Sequence, residues 1–448
     1  MNDDNKDGEV ERQALLWDML PPEVKTNVLG WLPLRSLFRC RQVCKSWNST
    51  ISSSSFVHFR SLLSSSALNR PWLCFFTPKS FDFLLAFDFD ALSWFRFDMG
   101  FLSSMLSSTH ICSAPSTSAP CGLIWCTGSA SGLLLLDFCS SLYVSNPLNR
   151  SLIKLPPFKS IEVVVTQGFS TSHSRGIFTC ENTDEPTASR QETCSTWGSV
   201  GKNGEKGVLG SINFKNALAE SYSHENMTRN SHSPHYCVIS IGKVKRGLVI
   251  EVFCVGRNSW EIVDSMPSWF IITHDRMLEC DGLFYSLLSH PIGMLVIGDY
   301  VTEGTYWRIE SLPLNYGAEP RRLLTCQNSI YMVCRADAYC NHFVIWEYQA
   351  VSKSWKKLQD MPDHIREDIN CISTSNWADC VGVGWHICFR SIGTLKVLTY
   401  NVREGLWSWL PEPSPLYDTL FARGIEFEPK LDYTQSLEYG IMQKSSPY

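Results

Sequence analysis

The sequence predicts a small all-α domain followed by an all-β propeller of six blades. Three observations support this prediction: helical spacing of apolar residues is confined to the first 60 residues, a tryptophan-anchored repeat recurs through the rest of the chain, and one Ser/Thr-rich segment interrupts that repeat. Short helices and a series of strands of this kind do not share one layered architecture. The two parts are therefore treated as separate domains.

The N-terminal helical domain is predicted to span residues 15–60, behind a disordered, acidic tail at 1–14. Its first helix ends near Pro33, and the apolar positions of that helix recur at helical spacing: Val24, Val28, Leu29 and Leu32. Ser36 is predicted to cap a second helix, whose apolar positions fall at i, i+3, i+7 and i+10: Leu37, Cys40, Cys44 and Trp47. About 45 residues of this kind bury too little surface to be stable alone. Part of the apolar surface is therefore expected to belong to a partner.

A repeat of about 50 residues runs through residues 70–430. Each copy has an apolar strand, a polar turn, a tryptophan and then a proline. The clearest copies are anchored by Trp260, Trp307, Trp355 and Trp407, which are 47, 48 and 52 residues apart. This period is close to that of one four-stranded kelch-type propeller blade. One large aromatic per blade would fill the gap between adjacent sheets, so these tryptophans are predicted to be blade core.

Two degenerate copies upstream bring the predicted count to six blades. Trp94 is the anchor of the first copy, and Leu152 stands about where a tryptophan is expected in the second. Residues 168–233, between Leu152 and Trp260, are rich in Ser, Thr, Asn and Gly, which predicts a largely disordered insertion inside the second blade. Near the C-terminus, "ARGIEFEPKLD" alternates as a half-buried strand does and is predicted to close the ring with N-terminal strands. Residues 431–448 are predicted to be a flexible tail.

The composition excludes some classes of partner. The chain has 448 residues, of which 44% are hydrophobic and 19% charged, and a formal net charge of −5. Because no basic patch of convincing size occurs, no nucleic-acid partner is expected. No run approaches the roughly 18 apolar residues of a membrane-spanning helix, so no membrane partner is expected either. The stretch "MNDDNKDGEVERQ" is acidic and polar, unlike a secretory signal, and predicts a cytoplasmic and/or nuclear protein.

The residues that could carry chemistry form no recognisable site. The 18 cysteines are scattered without a CxxC pair, and Cys40 and Cys44, one helical turn apart, are predicted to be buried thiols rather than zinc ligands. HExxH, Walker A and GxSxG motifs are missing from the sequence. No catalytic residue, metal or cofactor is therefore expected.

The N-terminal segment carries a family resemblance. "LLWDMLPPEVKTNVLGWLPLRSLFRCRQVCKSWNS" closely resembles an F-box, from the Leu20-Pro21 pair to the "CRQVCKSW" helix. Together with "YVSNPLNRSLIKLPP", the tryptophan-to-"MP" repeats and the terminal "GIEFEPKL", it makes the chain similar to plant F-box/kelch-repeat proteins. The resemblance covers the F-box and nearly all of residues 70–430, although the glycine pair typical of kelch strands is mostly missing.

This resemblance implies the substrate-recognition subunit of a Skp-cullin-F-box ubiquitin ligase. The F-box would dock on a Skp-type adaptor, and through it on a cullin-RING ligase, by helix-against-helix contact. The adaptor contact carried over from the family falls on nine residues: Leu20, Pro21, Val24, Leu29, Leu32, Pro33, Leu34, Val43 and Trp47. Some of these must instead hold the F-box helices together, and Trp47 and Val43 are the first expected to do so.

The implied mechanism is positioning rather than covalent chemistry. The propeller would hold a target protein while the adaptor and scaffold bring an activated ubiquitin conjugate near the lysines of the target. The chain itself would need no nucleophile and would not be an enzyme. For target contact, the expected aromatic anchors lie between predicted blade strands: Trp269, Phe270 and Trp377.

Two alternatives to the ligase subunit stay open. One is a kelch-propeller scaffold that binds a partner outside any ligase, which predicts a dispensable Leu20-Pro21 face. The other is a propeller enzyme, such as a sugar oxidase or hydrolase, which predicts a carboxylate or metal cluster at the central channel.

Overall fold

The computed structural model describes the F-box region and the blades, with gaps. The described residues are 17, 19–63, 70–77, 80–109, 124–130, 132–138, 141–161, 163–171, 198–200, 206–208, 236–244, 247–254, 258–267, 269–272, 277–290, 292–297, 307–313, 319–336, 342–372, 377–391, 396–413 and 424–430. The predicted tails at 1–14 and 431–448 and most of the predicted insertion lie outside them. Within the described ranges, no helix has the length and apolarity needed to cross a lipid bilayer.

The N-terminal region folds into four short helices among its described residues: α1 (Pro22–Gly30), α2 (Leu34–Cys40), α3 (Lys45–Ile51) and α4 (Ser54–Leu62). The prediction of one helix running from Ser36 through Trp47 is wrong. The chain breaks at Cys44, which is extended (φ −157°, ψ 163°), and the Cys44 Sγ caps α3 by accepting a hydrogen bond from the backbone N–H of Trp47 at 3.4 Å. Ser36 lies inside α2, after Pro33 at the N-cap position. Cys44 is also exposed rather than buried.

Six antiparallel sheets follow as propeller blades, so the predicted fold class is confirmed. Blade 1 contains β1 (Trp72–Thr77), β2 (Ser80–Asp88), β3 (Ser93–Asp98) and β27 (Gly424–Phe427), and blade 2 contains β4 (Ile124–Ala130), β5 (Leu133–Phe138), β6 (Ser141–Asn146) and β7 (Ser151–Lys154). Blade 3 contains β8 (Val163–Thr171), β11 (Tyr236–Val244), β12 (Gly247–Cys254) and β13 (Ser259–Met266), and blade 4 contains β14 (Ile271–Ile272), β15 (Leu278–Cys280), β16 (Leu283–His290), β17 (Ile292–Ile297) and β18 (Trp307–Glu310). Blade 5 contains β19 (Glu319–Cys326), β20 (Ser329–Arg335), β21 (Phe343–Gln349) and β22 (Ser354–Asp360), and blade 6 contains β23 (Trp377–Val383), β24 (His386–Ser391), β25 (Val397–Asn401) and β26 (Leu406–Trp409).

The two ends of the chain close the ring. Strand β27 pairs antiparallel with β1, with Ile425 opposite Cys74, as the sequence predicts for the C-terminal strand. The innermost strands then contact one another in order around the ring: β27, β4, β8, β15, β19 and β23, which returns to β27. This pairing gives the edge of β1 a hydrogen-bonded partner and places blade 1 between blades 6 and 2.

One buried carboxylate joins three of these innermost strands. Asp379 of β23 accepts a hydrogen bond from the Arg322 guanidinium of β19 and another from the backbone N–H of Gly424 in β27. The Arg322 and Asp379 side chains are 11% and 7% exposed. The pair therefore links blades 5, 6 and 1 at the point where the ring closes.

The antiparallel strands give the propeller two ends. At the hairpin end, the first and second strands of a blade are joined, and in blades 4, 5 and 6 the joints are two-residue turns at 281–282, 327–328 and 384–385. These turns contain residues with positive φ, such as Asn328 and Gly384. At the connection end, the last strand of each blade leads to the next blade. The connections include α5 (Gly100–Thr109) and α6 (Asp363–Ile372).

The insertion interrupts blade 3, not blade 2 as predicted from the sequence. It follows β8, which extends through Thr171, and it precedes β11. The prediction chose the wrong blade because each repeat anchor lies on the outermost, last strand of its blade. Leu152 is in β7, the last strand of blade 2, so the residues after it belong to blade 3. Residues 176–233 form a second compact unit, and where the sequence predicts disorder this unit contains the antiparallel hairpin of β9 (Gly198–Val200) and β10 (Lys206–Val208).

All the predicted tryptophan anchors occupy outermost strands: Trp94 in β3, Trp260 in β13, Trp307 in β18, Trp355 in β22 and Trp407 in β26. Trp260 is 1% exposed, and its indole N–H donates to the carbonyl of Pro156, just after blade 2, at 2.8 Å. In the same way the indole of Trp94 donates to the carbonyl of Pro411, just after blade 6. In these two blades the tryptophan therefore contacts the proline that ends the preceding repeat. The side chain of Trp307 lies outside the described part.

Candidate functional site

Helix α1 carries apolar side chains on two faces. Its inner face packs on α4 so closely that a Cβ added to Gly30 would lie 2.6 Å from the ring of Phe59. Its outer face, together with the residue before Leu20, presents four exposed apolar side chains, here called the α1 stripe: Met19, Val24, Val28 and Trp31, which are 80%, 39%, 44% and 56% exposed. The last three are spaced i, i+4 and i+7 and so share one side of the helix.

A buried arginine fixes the end of α1. Arg60 of α4 is 4% exposed, and its guanidinium donates to the backbone carbonyls of Gly30 and Leu32, both at 2.9 Å. Carbonyls at a helix C-terminus have no partner within the helix, and a cation there is favourable. Arg60 therefore sets the position of α1, and with it the direction in which the stripe points.

Helix α2 attaches the F-box to the outer strand of blade 1. The Arg35 guanidinium donates to the Ser93 hydroxyl at 2.8 Å and lies over the ring of Phe95, 4.8 Å from its centroid. Phe95 in turn contacts Trp72 edge-on, with centroids 5.0 Å apart. The inner apolar residues of the F-box belong to the same hydrophobic cluster as the core of blade 1: Leu29, Leu34, Leu37, Ile51 and Phe56. The propeller thus covers the inner faces of the helices and leaves the α1 stripe uncovered.

The nine residues predicted to contact the adaptor divide by exposure. The exposed ones are Pro21, Val24, Pro33 and Val43; the partly buried ones are Leu20, Leu32 and Trp47; the buried ones are Leu29 and Leu34. Buried side chains in the shared core have little surface left for a partner. The exposed group and the α1 stripe are therefore the surface that a partner can reach.

One of the two residues predicted to hold the F-box helices together does not do so. Trp47 does pack inside the domain, with its ring centroid 4.8 Å from that of Trp17. Val43, expected to do the same, is 65% exposed because it lies in the turn where the predicted helix breaks. Leu29 and Leu34 hold the helices instead.

Three members of the α1 stripe were missing from the predicted contact set. Val28 and Trp31 lie four and seven residues beyond Val24, so the helical spacing could have identified both. Met19 precedes the helix, and no periodicity includes it.

The predicted target-contact residues have three different surroundings. Trp269 is 47% exposed and stacks on Phe270, with centroids 4.3 Å apart and an interplanar angle of 22°. Phe270 is 4% exposed and packs in the core between blades 3 and 4, so it is not an exposed anchor as predicted. Trp377 begins β23 instead of lying between strands, and its side chain lies outside the described part.

The buried carboxylate of Glu251 has a structural role in the propeller. The carboxylate of Glu251 accepts hydrogen bonds from the backbone N–H groups of Lys159, Ser160 and Ile161 and thereby holds the connection between blades 2 and 3. Burial raises the pKa of the Cys326 thiol well above its usual value, which disfavours the reactive thiolate. Among the described residues, no group of three or more His, Cys, Asp or Glu side chains is arranged to hold a metal ion.

Comparisons with protein families match both parts of the chain. The F-box domain model matches residues 17–72, which include all four N-terminal helices. The KIB1-4 β-propeller model matches residues 101–366, more than half of the chain.

Curated proteins from Arabidopsis thaliana match the chain at low identity. F-box/kelch-repeat protein At3g61590 is 29% identical over 176 residues, which are 38% of this chain and 38% of that protein. Protein UNUSUAL FLORAL ORGANS is 20% identical over 421 residues, 89% of this chain and 79% of that protein. F-box/kelch-repeat protein At5g43190 is 23% identical over 411 residues, 89% of this chain and 82% of that protein. The match to the first of these thus spans less than half of its length.

Proposed function

The chain belongs to the KIB1-4 β-propeller family and carries an F-box domain at its N-terminus, and from this premise we propose that it is the substrate-recognition subunit of a Skp-cullin-F-box ubiquitin ligase. The F-box binds a Skp-type adaptor, and the propeller captures the protein to be ubiquitinated. The proposed location is the cytoplasm, the nucleus or both, which imaging of the tagged chain tests.

The α1 stripe is the observation that carries the proposal. Val24, Val28 and Trp31 lie exposed on one side of α1, and Met19 is exposed just before the helix, whereas the inner apolar residues of the F-box pack against blade 1. A soluble domain gains little from such a surface unless a partner covers it. An amphipathic helix with i, i+4 and i+7 anchors suits a helix-against-helix interface. The adaptor is the partner that the F-box match supports.

The proposed mechanism is proximity. Because the F-box and blade 1 share one core, the adaptor-binding stripe and the propeller move together. A target held by the propeller then stays near the ubiquitin conjugate that the ligase delivers, which raises the effective concentration of the target's lysines. In this role the chain positions the reactants and makes no covalent bond itself.

The test is co-purification of the full-length chain with a Skp-type adaptor. We expect the double variant Val24→Asp/Val28→Asp to lose the complex, because two carboxylates would have to be buried in an apolar interface. The matched control is Val351→Asp, at a fully exposed valine in the turn between β21 and β22 of blade 5, which should retain the complex. Thermal unfolding of all three proteins shows whether each is folded.

Two results would contradict the proposal at different levels. If the double variant keeps the complex, the adaptor binds elsewhere and the stripe has another partner. If the folded wild-type chain forms no complex with the adaptor, the chain is better described as a propeller scaffold outside any ligase.

A further inference from the structure

The largest side chain of the α1 stripe lies at the point where α1 ends. Trp31 follows Gly30, the last residue of the helix, and it is 56% exposed. Among the described residues, no aromatic ring or guanidinium lies against the Trp31 indole, and no acceptor takes its N–H. The indole can therefore offer a partner both apolar area and a hydrogen-bond donor.

Hydrogen bonds hold the backbone on both sides of this tryptophan. One guanidinium nitrogen of Arg60, Nη1, donates to the carbonyls of Gly30 and Leu32, both at 2.9 Å. The backbone N–H of Trp31 itself donates to the carbonyl of Asn27 at 3.2 Å. The main chain that carries the exposed indole is thus fixed by the fold of the F-box before any partner binds.

Packing from α4 holds the same point. A Cβ added to Gly30 would lie 2.6 Å from the ring of Phe59, so α4 contacts the backbone of α1 directly. Two residues beyond Trp31, Pro33 has φ fixed by its ring at −53°. Phe56, one turn before Arg60 in α4, is 1% exposed and belongs to the core shared with blade 1. Helix α4 therefore connects the end of α1 to the propeller core.

An arginine at this position has a cost that simple filling of space would not have. Arg60 is 4% exposed, and removing a guanidinium from water is unfavourable unless its donors are satisfied. An apolar side chain of similar length could fill the same volume without this penalty. What the arginine adds is a cation placed against the carbonyls that end α1, where a helix carries partial negative charge. Its contacts lie on either side of Trp31.

From these observations we propose that Arg60 is a positioning residue for adaptor binding, because it orients Trp31 as the main anchor of the α1 stripe. An anchor that is already in its bound orientation loses little conformational entropy on binding, and tryptophan is enriched among the residues that dominate binding energy. The matching surface of the adaptor is an apolar pocket with an acceptor for the indole N–H. This inference rests on the proposed function, in which the F-box match makes the adaptor the partner of α1.

The experiment measures the affinity of a Skp-type adaptor for the purified full-length chain and its variants by calorimetry. We expect Trp31→Ala to weaken binding by about tenfold or more, as for an interface anchor. The matched control is Trp385→Ala in the turn between β23 and β24, at a tryptophan 41% exposed whose ring lies under the Arg403 guanidinium. This control should change the affinity by less than about twofold.

A double-mutant cycle tests whether Arg60 acts through Trp31. Arg60→Met removes the donors, keeps a long side chain and should weaken binding by about tenfold, whereas Arg60→Lys restores a cationic donor and should bind within about threefold of wild type. Trp31→Ala/Arg60→Met should bind within about twofold of Trp31→Ala alone, because without the indole its orientation has no effect. In the matched cycle with Val24→Ala, in the first turn of α1, the two losses should multiply.

Hydrogen exchange of the free chain separates orientation of Trp31 from folding of the F-box. In Arg60→Met the amides of residues 30–32 should exchange faster, while those of α3 stay as protected as in wild type. The inference is overturned if exchange becomes fast throughout the F-box, or if the double variant binds far more weakly than Trp31→Ala. In either case Arg60 is required for the F-box fold and not for the orientation of one anchor.

The same measurements distinguish failure of this inference from failure of the proposed function. A folded wild-type chain that binds no adaptor would contradict both. A wild-type complex with unchanged affinity in Trp31→Ala or in Arg60→Met would contradict the inference alone, and the ligase role would then depend on other residues of the F-box surface.

Discussion

Blade 1 and blade 5 have the same four-stranded form and differ in how the chain supplies it. Blade 5 is one continuous segment, residues 319–360, and its outer strand carries exposed lysines at 356 and 357, which discourage pairing with another edge. Blade 1 takes β27 from the C-terminal region and three strands from the N-terminal region, and the F-box contacts its outer strand. Blade 1 therefore depends on distant parts of the chain at both its inner and its outer edge, and it joins ring closure to placement of the F-box.

The largest effect is expected from removing the closing strand. Truncation after residue 423 deletes β27, including Ile425 and Phe427, which are 0% and 1% exposed. Blade 1 would then lose its innermost strand, and blades 6 and 2 would lose a neighbour, so we expect loss of cooperative unfolding in calorimetry. Truncation after residue 430 is the control and should unfold as the full chain does. Cooperative unfolding of the shorter protein at an unchanged temperature would contradict this view of closure.

The next effect in size concerns the carboxylate shared by blades 5, 6 and 1. Asp379→Ala removes the carboxylate that accepts hydrogen bonds from the buried Arg322 guanidinium and from the backbone N–H of Gly424. Breaking a buried pair from one side typically costs about 3–5 kcal/mol in the free energy of unfolding, and denaturant titration measures it. Asp363→Ala removes an exposed partner of Arg366 in α6 and should cost less than about 1 kcal/mol. Equal losses in the two variants would show that Asp379 has no special part in closure.

The sequence was informative about the blades because their signal repeats. A tryptophan and a proline recur at a regular interval, and in blades 1 and 3 the structure joins the tryptophan to the proline that ends the preceding repeat. Because four copies define the period, the position of Leu152 could be identified as the anchor of a further repeat, although that repeat has no tryptophan there. The alternation around Ile425 identified the closing strand because one face of that strand is buried.

The sequence was less informative where one local interaction decides the structure. The spacing of Leu37, Cys40, Cys44 and Trp47 fits a helix, but a single thiol cap at Cys44 starts a new one. Burial of Leu29 and Leu34 depends on blade 1, which is distant in sequence and has no signal in the helical pattern. The pair Trp269-Phe270 shows the same limit, because only the packing of neighbouring blades decides which ring is exposed.

A smaller, pH-dependent effect is expected at the closing strand itself. Desolvation raises the pKa of Glu426 in β27 from 4.5 to about 7, although its carboxylate accepts a hydrogen bond from the N–H of Gly384 at 3.0 Å. The folded state thus favours the neutral acid, and stability is lost as the pH rises from about 4.5 to about 7. Glu426→Gln stays neutral and keeps an acceptor for Gly384. We expect the variant to be more stable than wild type by about 3 kcal/mol at pH 8 and equal to it near pH 4.

Melting temperatures of both proteins across this pH range measure the effect. A constant difference between the two proteins at every pH would mean that Glu426 does not titrate in the folded chain in this interval. A variant less stable than wild type at pH 8 would mean that the ionised carboxylate is the form that the closing strand requires.

The smallest effect is expected at the outer edge of blade 1, where Arg35 of the F-box meets β3. Arg35→Ala removes a hydrogen bond to Ser93 and the contact with the ring of Phe95. Together these are worth about 1 kcal/mol, so the protein should remain folded while hydrogen exchange of the β3 amides becomes faster. Arg39→Ala, at an exposed arginine one turn further along α2, is the control and should leave β3 unchanged. If neither variant changes the hydrogen exchange of the β3 amides, the shared apolar core alone holds the F-box on the propeller. If Arg35→Ala also weakens adaptor binding, the outer edge of blade 1 and the α1 stripe are coupled through α2.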